Sequence, residues 1–319
     1  MPKLMRLAIL DDYQGVTLAM GPWDRLPHIE TTVFRDTLHD QDALVARLAP
    51  FDAILAMRER TPFPAALLER LPNLKLLITT GERNRGIDAA ACAARGITFS
   101  GTPSFGAPTV DLTWGLILAL ARGIPAQQEA LRAGRWQTEV GVGLEGRTLG
   151  LLGLGKLGQK VAKVGQAFGM KTIAWSQNLT AEAAAAHGVT RVEKNALFAE
   201  ADVLSVHLIL SERSRGLVGA AELARMKPAA FVVNTSHGPI IDQAALIAAL
   251  REGRIAGAGI DVYDIEPLPM DHPLLSAPNT VLTPHLGYVT QENYRSYFAG
   301  AVEAIQAWEA GSPIRVITG

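Results

Sequence analysis

The stretch from Gly146 to Gly158, Gly-Arg-Thr-Leu-Gly-Leu-Leu-Gly-Leu-Gly-Lys-Leu-Gly, constrains the fold more than any other. Thr148 to Leu152 is an apolar run long enough for one buried strand. Gly153, Gly155 and Gly158 follow in G-x-G-x-x-G spacing around Lys156 and Leu157, and Gln159 to Phe168 continues in a helical pattern. In a strand, tight turn and helix, the first glycine permits the turn and the second lets backbone N–H groups approach a pyrophosphate. The third lets helix and strand pack closely. The phosphates would then lie at the positive helix N-terminus. A lone match also occurs as a glycine-tolerant turn in any α/β protein; the strand before it and the helix after it favour a dinucleotide site.

The remaining chain alternates in the same way. Arg6 to Leu10, Thr31 to Arg35, Asp52 to Met57, Leu74 to Thr79 and Ile97 to Phe99 read as strands, with helical patterns around Asp42 to Leu48, Pro64 to Leu71 and Asp88 to Arg95. The Gly- and Pro-dense segment Gly101 to Pro108 then precedes a long apolar helix, Thr109 to Arg122. After the glycine turn come strands at Lys171 to Trp175, Val203 to His207, Phe231 to Asn234, Ala256 to Ile260 and Thr280 to Leu282. Helices are expected around Ala181 to His187, Ala220 to Met226 and Gln243 to Arg251. The fold class is therefore α/β, with two doubly wound parallel-sheet domains. A last amphipathic helix, about Gln291 to Ala310, follows the completed second sheet and can return to the first domain.

Composition removes several classes. At 319 residues the chain exceeds one ordinary core, which agrees with two domains. A formal net charge of −1, with 30 Lys and Arg scattered along the chain, gives no basic field for nucleic acid. No stretch reaches the length of a membrane span, and the apolar part of the first ten residues is too short for a signal segment. The single cysteine, Cys92, fits a reducing cytoplasm and reads as a small packing residue. No membrane or nucleic-acid partner is expected.

Where the strand after the glycine turn ends, an Asp or Glu often holds the adenosine ribose. Here Ser176, Gln177 and Asn178 stand there. They can bond a 2′-hydroxyl or a 2′-phosphate without repelling the latter, and no arginine immediately follows to grip it. NAD and NADP both remain open. Three more stretches fall at strand ends: Val232 to Asp242, Gly259 to Pro267 and Thr283 to Thr290. Glu266 and His285 can form a carboxylate and imidazole pair in which the carboxylate favours the imidazolium, a proton donor near neutral pH. Taken singly, a Glu before Pro or a His near a Gly is more often a turn residue.

Five segments in this order resemble the D-isomer-specific 2-hydroxyacid dehydrogenase family: the Gly153 to Gly158 fingerprint, Val203 to Leu210, Asn234 to Asp242, Asp261 to Pro267 and Thr283 to Gly287. The resemblance covers nearly the whole chain. It implies a Rossmann cofactor domain, residues 104–287, inserted into a flavodoxin-like substrate domain, residues 1–103 and 288–319, with catalysis between the two. It further implies that His285 is the acid/base, with Glu266 as its partner. Asp261 would hold the nicotinamide carboxamide, and Leu208, Ile209, Thr235 and Gly287 would contact the cofactor, NAD or NADP. Gly81, Glu82 and Arg83 would belong to the loop whose backbone N–H groups bind the substrate carboxylate. The region after Thr109, with Leu112, Trp114, Leu116 and later Trp136, would form the contact of a homodimer.

One position departs from the family. An arginine that holds and polarises the substrate follows Asn-Thr-Ser in the family, and here that residue is His237. Arginine presents a permanent charge and five donors, whereas histidine, with a reference pKa of about 6.5, is mostly neutral at pH 7 and then offers one N–H. Losing one charge-assisted hydrogen bond costs about 1.5–3 kcal/mol. The expected protein is an NAD(P)H-dependent oxidoreductase of a small 2-oxo acid and its D-2-hydroxy acid, weakened or altered at the carboxylate. The alternatives are a cofactor-binding paralogue without turnover and an enzyme for a neutral substrate.

Overall fold

A computed structural model describes residues 5–318. The outermost positions of the expected first domain, residues 1–4 and 319, lie outside the described residues. The chain forms two compact units, one running to Phe105 and resuming at Val289, the other spanning Gly106–Tyr288.

In the discontinuous unit, strands β1 (Met5–Ile9), β2 (Ile29–Val33), β3 (Ala53–Ala56), β4 (Leu76–Thr79) and β5 (Thr98–Gly101) pair in parallel in the order β2-β1-β3-β4-β5. β3 and β4 are buried at every residue because helices cover both faces, so they read as unbroken apolar runs. The late helix Gln291–Glu309 belongs to this unit: Tyr297 and Phe298 are fully buried on it. Trp308 Nε1 donates to Thr98 Oγ1 at 3.2 Å, and Arg315 Nε to Gly101 O at 3.1 Å, so the C-terminal segment is tied to β5.

The second unit carries β6 (Thr148–Leu152), β7 (Lys171–Trp175), β8 (Thr190–Arg191), β9 (Val203–Val206), β10 (Phe231–Asn234), β11 (Gly257–Ile260) and β12 (Thr280–Leu282). They are all parallel, in the order β12-β11-β10-β9-β6-β7-β8. This is the doubly wound order with its reversal beside β6, the strand of the glycine turn. Six strands were expected from the sequence and seven are present. The extra one, β8, is a two-residue edge strand with no apolar run to announce it, and the helix Lys194–Glu200 after it was not expected either. At the opposite edge of the sheet from the glycine turn, Asp202 accepts from Thr148 N at 2.7 Å and from Lys227 Nζ at 2.9 Å. Burial opposes its ionisation, but the Lys227 ammonium and the Thr148 N–H overcome that and hold its carboxyl below the usual range.

The helix Ala107–Arg122 divides its apolar residues between the core and a half-open face. Val110, Trp114, Leu116 and Ile117 are core residues of this unit, while Leu112, Leu118 and Leu120 on the same helix are only half-buried. The exposed apolar side chains come afterwards: Ile124 and Leu131 on the helix Ile124–Arg132, then Trp136 (75% exposed) and Val140 (99% exposed).

Candidate active site

Parallel strands bring all their C-terminal ends to one edge, and the expected site residues of the second unit fall along that edge in the spatial order of the strands. At the end of β6, Gly153 has φ +105, and a Cβ there would stand 2.8 Å from the His207 carbonyl oxygen. A Cβ on Gly158 would stand 2.3 Å from the Gly153 carbonyl oxygen, so these two glycines let turn, strand and helix touch. Gly155 differs: a Cβ on it would meet nothing within 4 Å. It caps the 12-residue helix Lys156–Ala167, whose first turn has no side-chain cap and no acidic residue. Open space in front of uncapped N–H groups, with Lys156 exposed beside them, fits a dinucleotide pyrophosphate. Leu157 is half-buried on the same turn.

At the end of β7, Ser176 is half-buried while Gln177 and Asn178 are exposed. At the end of β9, Leu208 is half-buried and Ile209 is 63% exposed, which leaves an apolar surface facing outward. His207 is held by Ser205, with Oγ and Nε2 at 2.8 Å, and burial pushes its imidazole down to about 4, so it is neutral at pH 7. At the end of β10, the hydroxyls of buried Thr235 and Thr113 lie 2.7 Å apart. Ser236 Oγ donates to the Leu208 carbonyl, Ser236 N donates to Asn234 Oδ1 at 3.0 Å, and Asn234 Nδ2 donates to the His237 carbonyl at 2.9 Å. The backbone that carries His237 is thereby fixed, and its side chain is half-buried.

The ends of β11 and β12 are built around Asp261, which is fully buried. Its Oδ1 accepts from Thr283 Oγ1 at 2.6 Å and from Leu286 N at 2.7 Å, and its Oδ2 accepts from Gly287 N at 2.9 Å. Burial pushes its carboxyl above the usual range, while these donors and nearby His285 pull the other way. Three of about four acceptor positions are engaged within the chain, so Asp261 first of all holds the turn Thr283–Gly287. That turn carries His285 at φ +53, a left-handed conformation uncommon outside glycine, fixed by donation of its N–H to Asp261 O at 2.9 Å. His285 Nδ1 and Glu266 Oε2 are 2.5 Å apart, and Glu266 Oε1 accepts from Tyr263 N at 2.9 Å. Tyr263 Oη donates to Ile260 O and Thr283 O at 3.1 and 2.9 Å, bracing one loop against the other. The pair is about one quarter exposed, with side-chain exposures of 26% for His285 and 23% for Glu266. Against an ionised carboxylate, Nδ1 is the protonated nitrogen, which leaves Nε2 to exchange a proton with a ligand.

Gly81, Glu82 and Arg83 lie in the other unit, after β4. The Gly81 N–H donates to Thr102 Oγ1 at 2.8 Å and is used there. Glu82 and Arg83 are exposed and line a cavity of about 740 Å³ with Gly101–Pro103 and Arg315–Thr318. Asn84 is buried and anchors the loop, donating from Nδ2 to Arg58 O at 2.6 Å and to Thr79 Oγ1 at 3.0 Å. Arg58, which the sequence reading passed over, sits at the end of β3 at φ +50, with Nη1 donating to Thr80 O at 3.3 Å. Its position beside the loop follows from the β3–β4 register, which nothing local in the sequence announces.

Comparison with known proteins agrees with this arrangement. Residues 114–287 match the sequence profile of the D-isomer specific 2-hydroxyacid dehydrogenase NAD binding domain. A glyoxylate reductase of Aeropyrum pernix is 37% identical over 255 residues, covering 77% of this chain and 76% of its own. A hydroxypyruvate reductase of Thermotoga maritima is 37% identical over 272 residues, covering 83% and 87%. The crystal structure of a phosphoglycerate oxidoreductase from Vibrio cholerae O395 superposes with TM-score 0.91 at 40% identity, over 96% of this chain and 99% of that one. With the glycine turn, the His285–Glu266 pair and these relatives in agreement, the chain belongs to the D-isomer-specific 2-hydroxyacid dehydrogenases, NAD(P)-dependent oxidoreductases that act on a CH–OH group.

Proposed function

We propose that this chain interconverts a small 2-oxo acid and its D-2-hydroxy acid. The observation that carries the reading is the His285–Glu266 pair at 2.5 Å, poised at the strand edge that also holds the glycine turn. A bound nicotinamide dinucleotide would supply or accept the hydride. His285 Nε2 gives the proton to the carbonyl oxygen in the reductive direction and takes it back in the oxidative one. Glu266, in contact with Nδ1, orients the ring for this transfer. Gly153, Gly155 and Gly158, with the N-terminus of the helix Lys156–Ala167, would hold the pyrophosphate. Ser176 to Asn178 would meet the ribose, and Leu208, Ile209 and Thr235 would flank the cofactor. Asp261 keeps acceptor capacity for a carboxamide N–H. The backbone N–H groups of Glu82 and Arg83 would receive the substrate carboxylate, with Gly81 shaping their turn, and Arg58 and His237 are the side chains proposed to assist.

The names of the relatives support glyoxylate and hydroxypyruvate as first substrates. The test is to mix the pure protein with NADH or NADPH and a panel of glyoxylate, hydroxypyruvate, pyruvate and phenylpyruvate, following dinucleotide oxidation. Oxidation with at least one acid is expected. Dinucleotide binding with no oxidation by any acid would instead favour a second reading, a cofactor-binding paralogue without turnover, for which the specific observation is His237 in place of the family arginine.

The same reading includes a homodimer. Ile124, Leu131, Trp136 and Val140 form an exposed apolar series on and after one helix, the kind of surface that a second copy covers. The expected mass in solution at micromolar concentration is twice that of the chain; a monomer mass would remove this part of the proposal.

A further inference from the structure

We propose that Arg191 is the anchor for a 2′-phosphate on the adenosine ribose and that it biases this chain towards NADP(H). The inference rests on the cofactor reading above and goes beyond it by naming the cofactor. The residues directly after β7 hold no cation, and from the sequence alone the two dinucleotides stand level. The fold changes that, because β8 lays Arg191 alongside β7. Ala174 and Arg191 are register partners in the parallel pair, and side chains alternate along a strand. The Arg191 side chain therefore leaves the sheet on the same face as Ala174.

From there its guanidinium reaches the ribose loop itself. Arg191 Nε donates to the Leu179 carbonyl at 3.2 Å, and Leu179 N donates to the Ser176 carbonyl at 3.1 Å, closing the turn that follows β7. One edge of the guanidinium thus anchors the turn that carries Ser176, Gln177 and Asn178. The other edge points to Glu193, with Nη1 and Oε1 at 2.6 Å. Glu193 is 74% exposed and Arg191 33%, so this is a solvent-facing ion pair of the weak kind. A 2′-phosphate carries more charge than a carboxylate and can take two parallel N–H donors from an arginine fork, which lets it displace Glu193. Glu182, the first carboxylate after β7, lies in the first turn of the helix Ala181–Ala185. Its own backbone N–H and the Thr180 hydroxyl stabilise the ionised form there.

Calorimetric titration of the protein with NADPH, NADH, adenosine 2′,5′-bisphosphate and AMP tests this directly. The wild type is expected to bind NADPH more tightly than NADH, and the bisphosphate more tightly than AMP. In Arg191→Ala, NADPH and the bisphosphate should weaken by about 10- to 100-fold, with NADH and AMP unchanged within about twofold. Arg191→Lys, which keeps the charge and loses the fork, should bind NADPH with an affinity between those of the wild type and Arg191→Ala. Glu193→Gln, which leaves Arg191 in place, should tighten NADPH by up to about fivefold and leave NADH alone. Equal weakening of both dinucleotides in Arg191→Ala would mark the arginine as a brace of the loop and overturn the proposal, as would unchanged NADPH binding. A wild type that binds neither dinucleotide would overturn the cofactor reading and this inference with it.

Discussion

Replacing His285 with asparagine is expected to lower kcat for 2-oxo acid reduction by about 10²- to 10⁴-fold, the usual contribution of a positioned general acid. Dinucleotide affinity should stay within about twofold. Asparagine is the better first variant because position 285 has φ +53, a conformation that asparagine tolerates far better than most residues. The turn should survive the change, since it is held by Asp261 through Thr283, Leu286 and Gly287 and not by the imidazole. Asparagine has no ring nitrogen to give or take the proton, so the loss should fall on kcat. Alanine should give the same kinetic loss with an added stability cost. Steady-state kinetics, with dinucleotide titration as the control for folding, reads the loss. An unchanged kcat in the asparagine variant would remove His285 from the chemistry and leave the 2.5 Å contact with Glu266 as a structural pair.

The residues that carry this prediction were legible because parallel sheets impose a simple rule. Polar residues directly after apolar runs collect at one edge, so Ser176, Asn234, Asp261 and Thr283 could be placed together although more than 100 positions separate the first from the last. Glu266 and His285 could be paired for the same reason. What the sequence hid depended on partners that it cannot display. Asp261 binds backbone N–H groups of Leu286 and Gly287, and every residue has such a group, so nothing in the pattern marks which ones converge. The N–H of Gly81 is engaged by Thr102, whose approach depends on how β5 lies beside β4. Arg191 sits on a two-residue edge strand, too short for alternation to register, and its place beside Ala174 and Leu179 comes from pairing with β7. The apolar helix Ala107–Arg122 shows how composition alone leaves a face undivided: Val110, Trp114, Leu116 and Ile117 enter the core of its own unit, while Leu112, Leu118 and Leu120 stay half-buried.

Replacing His237 with arginine is expected to raise kcat/KM for 2-oxo acids by about one to two decades, the worth of one charge-assisted hydrogen bond. The local backbone favours a clean exchange. His237 has extended geometry, φ −146 and ψ 133, and its carbonyl is held by Asn234 Nδ2 at 2.9 Å. Gly238 cannot shift outward, since even a Cβ there would meet the Tyr263 backbone at 2.3 Å. The change thus falls on the side chain alone. Arginine brings a permanent charge and a fork of donors to the position, so the gain should appear mainly as a lower KM. The measurement is kcat and KM for both proteins on the acid that the wild type reduces best. If the arginine variant, with its fold intact, shows unchanged or lower kcat/KM on every 2-oxo acid, position 237 is not a weakened carboxylate clamp. The histidine would then serve a substrate whose group beside it is neutral, and the 2-oxo acid reading would have to be given up. Membership of the family would stand, because it rests on the matched domain and not on this residue.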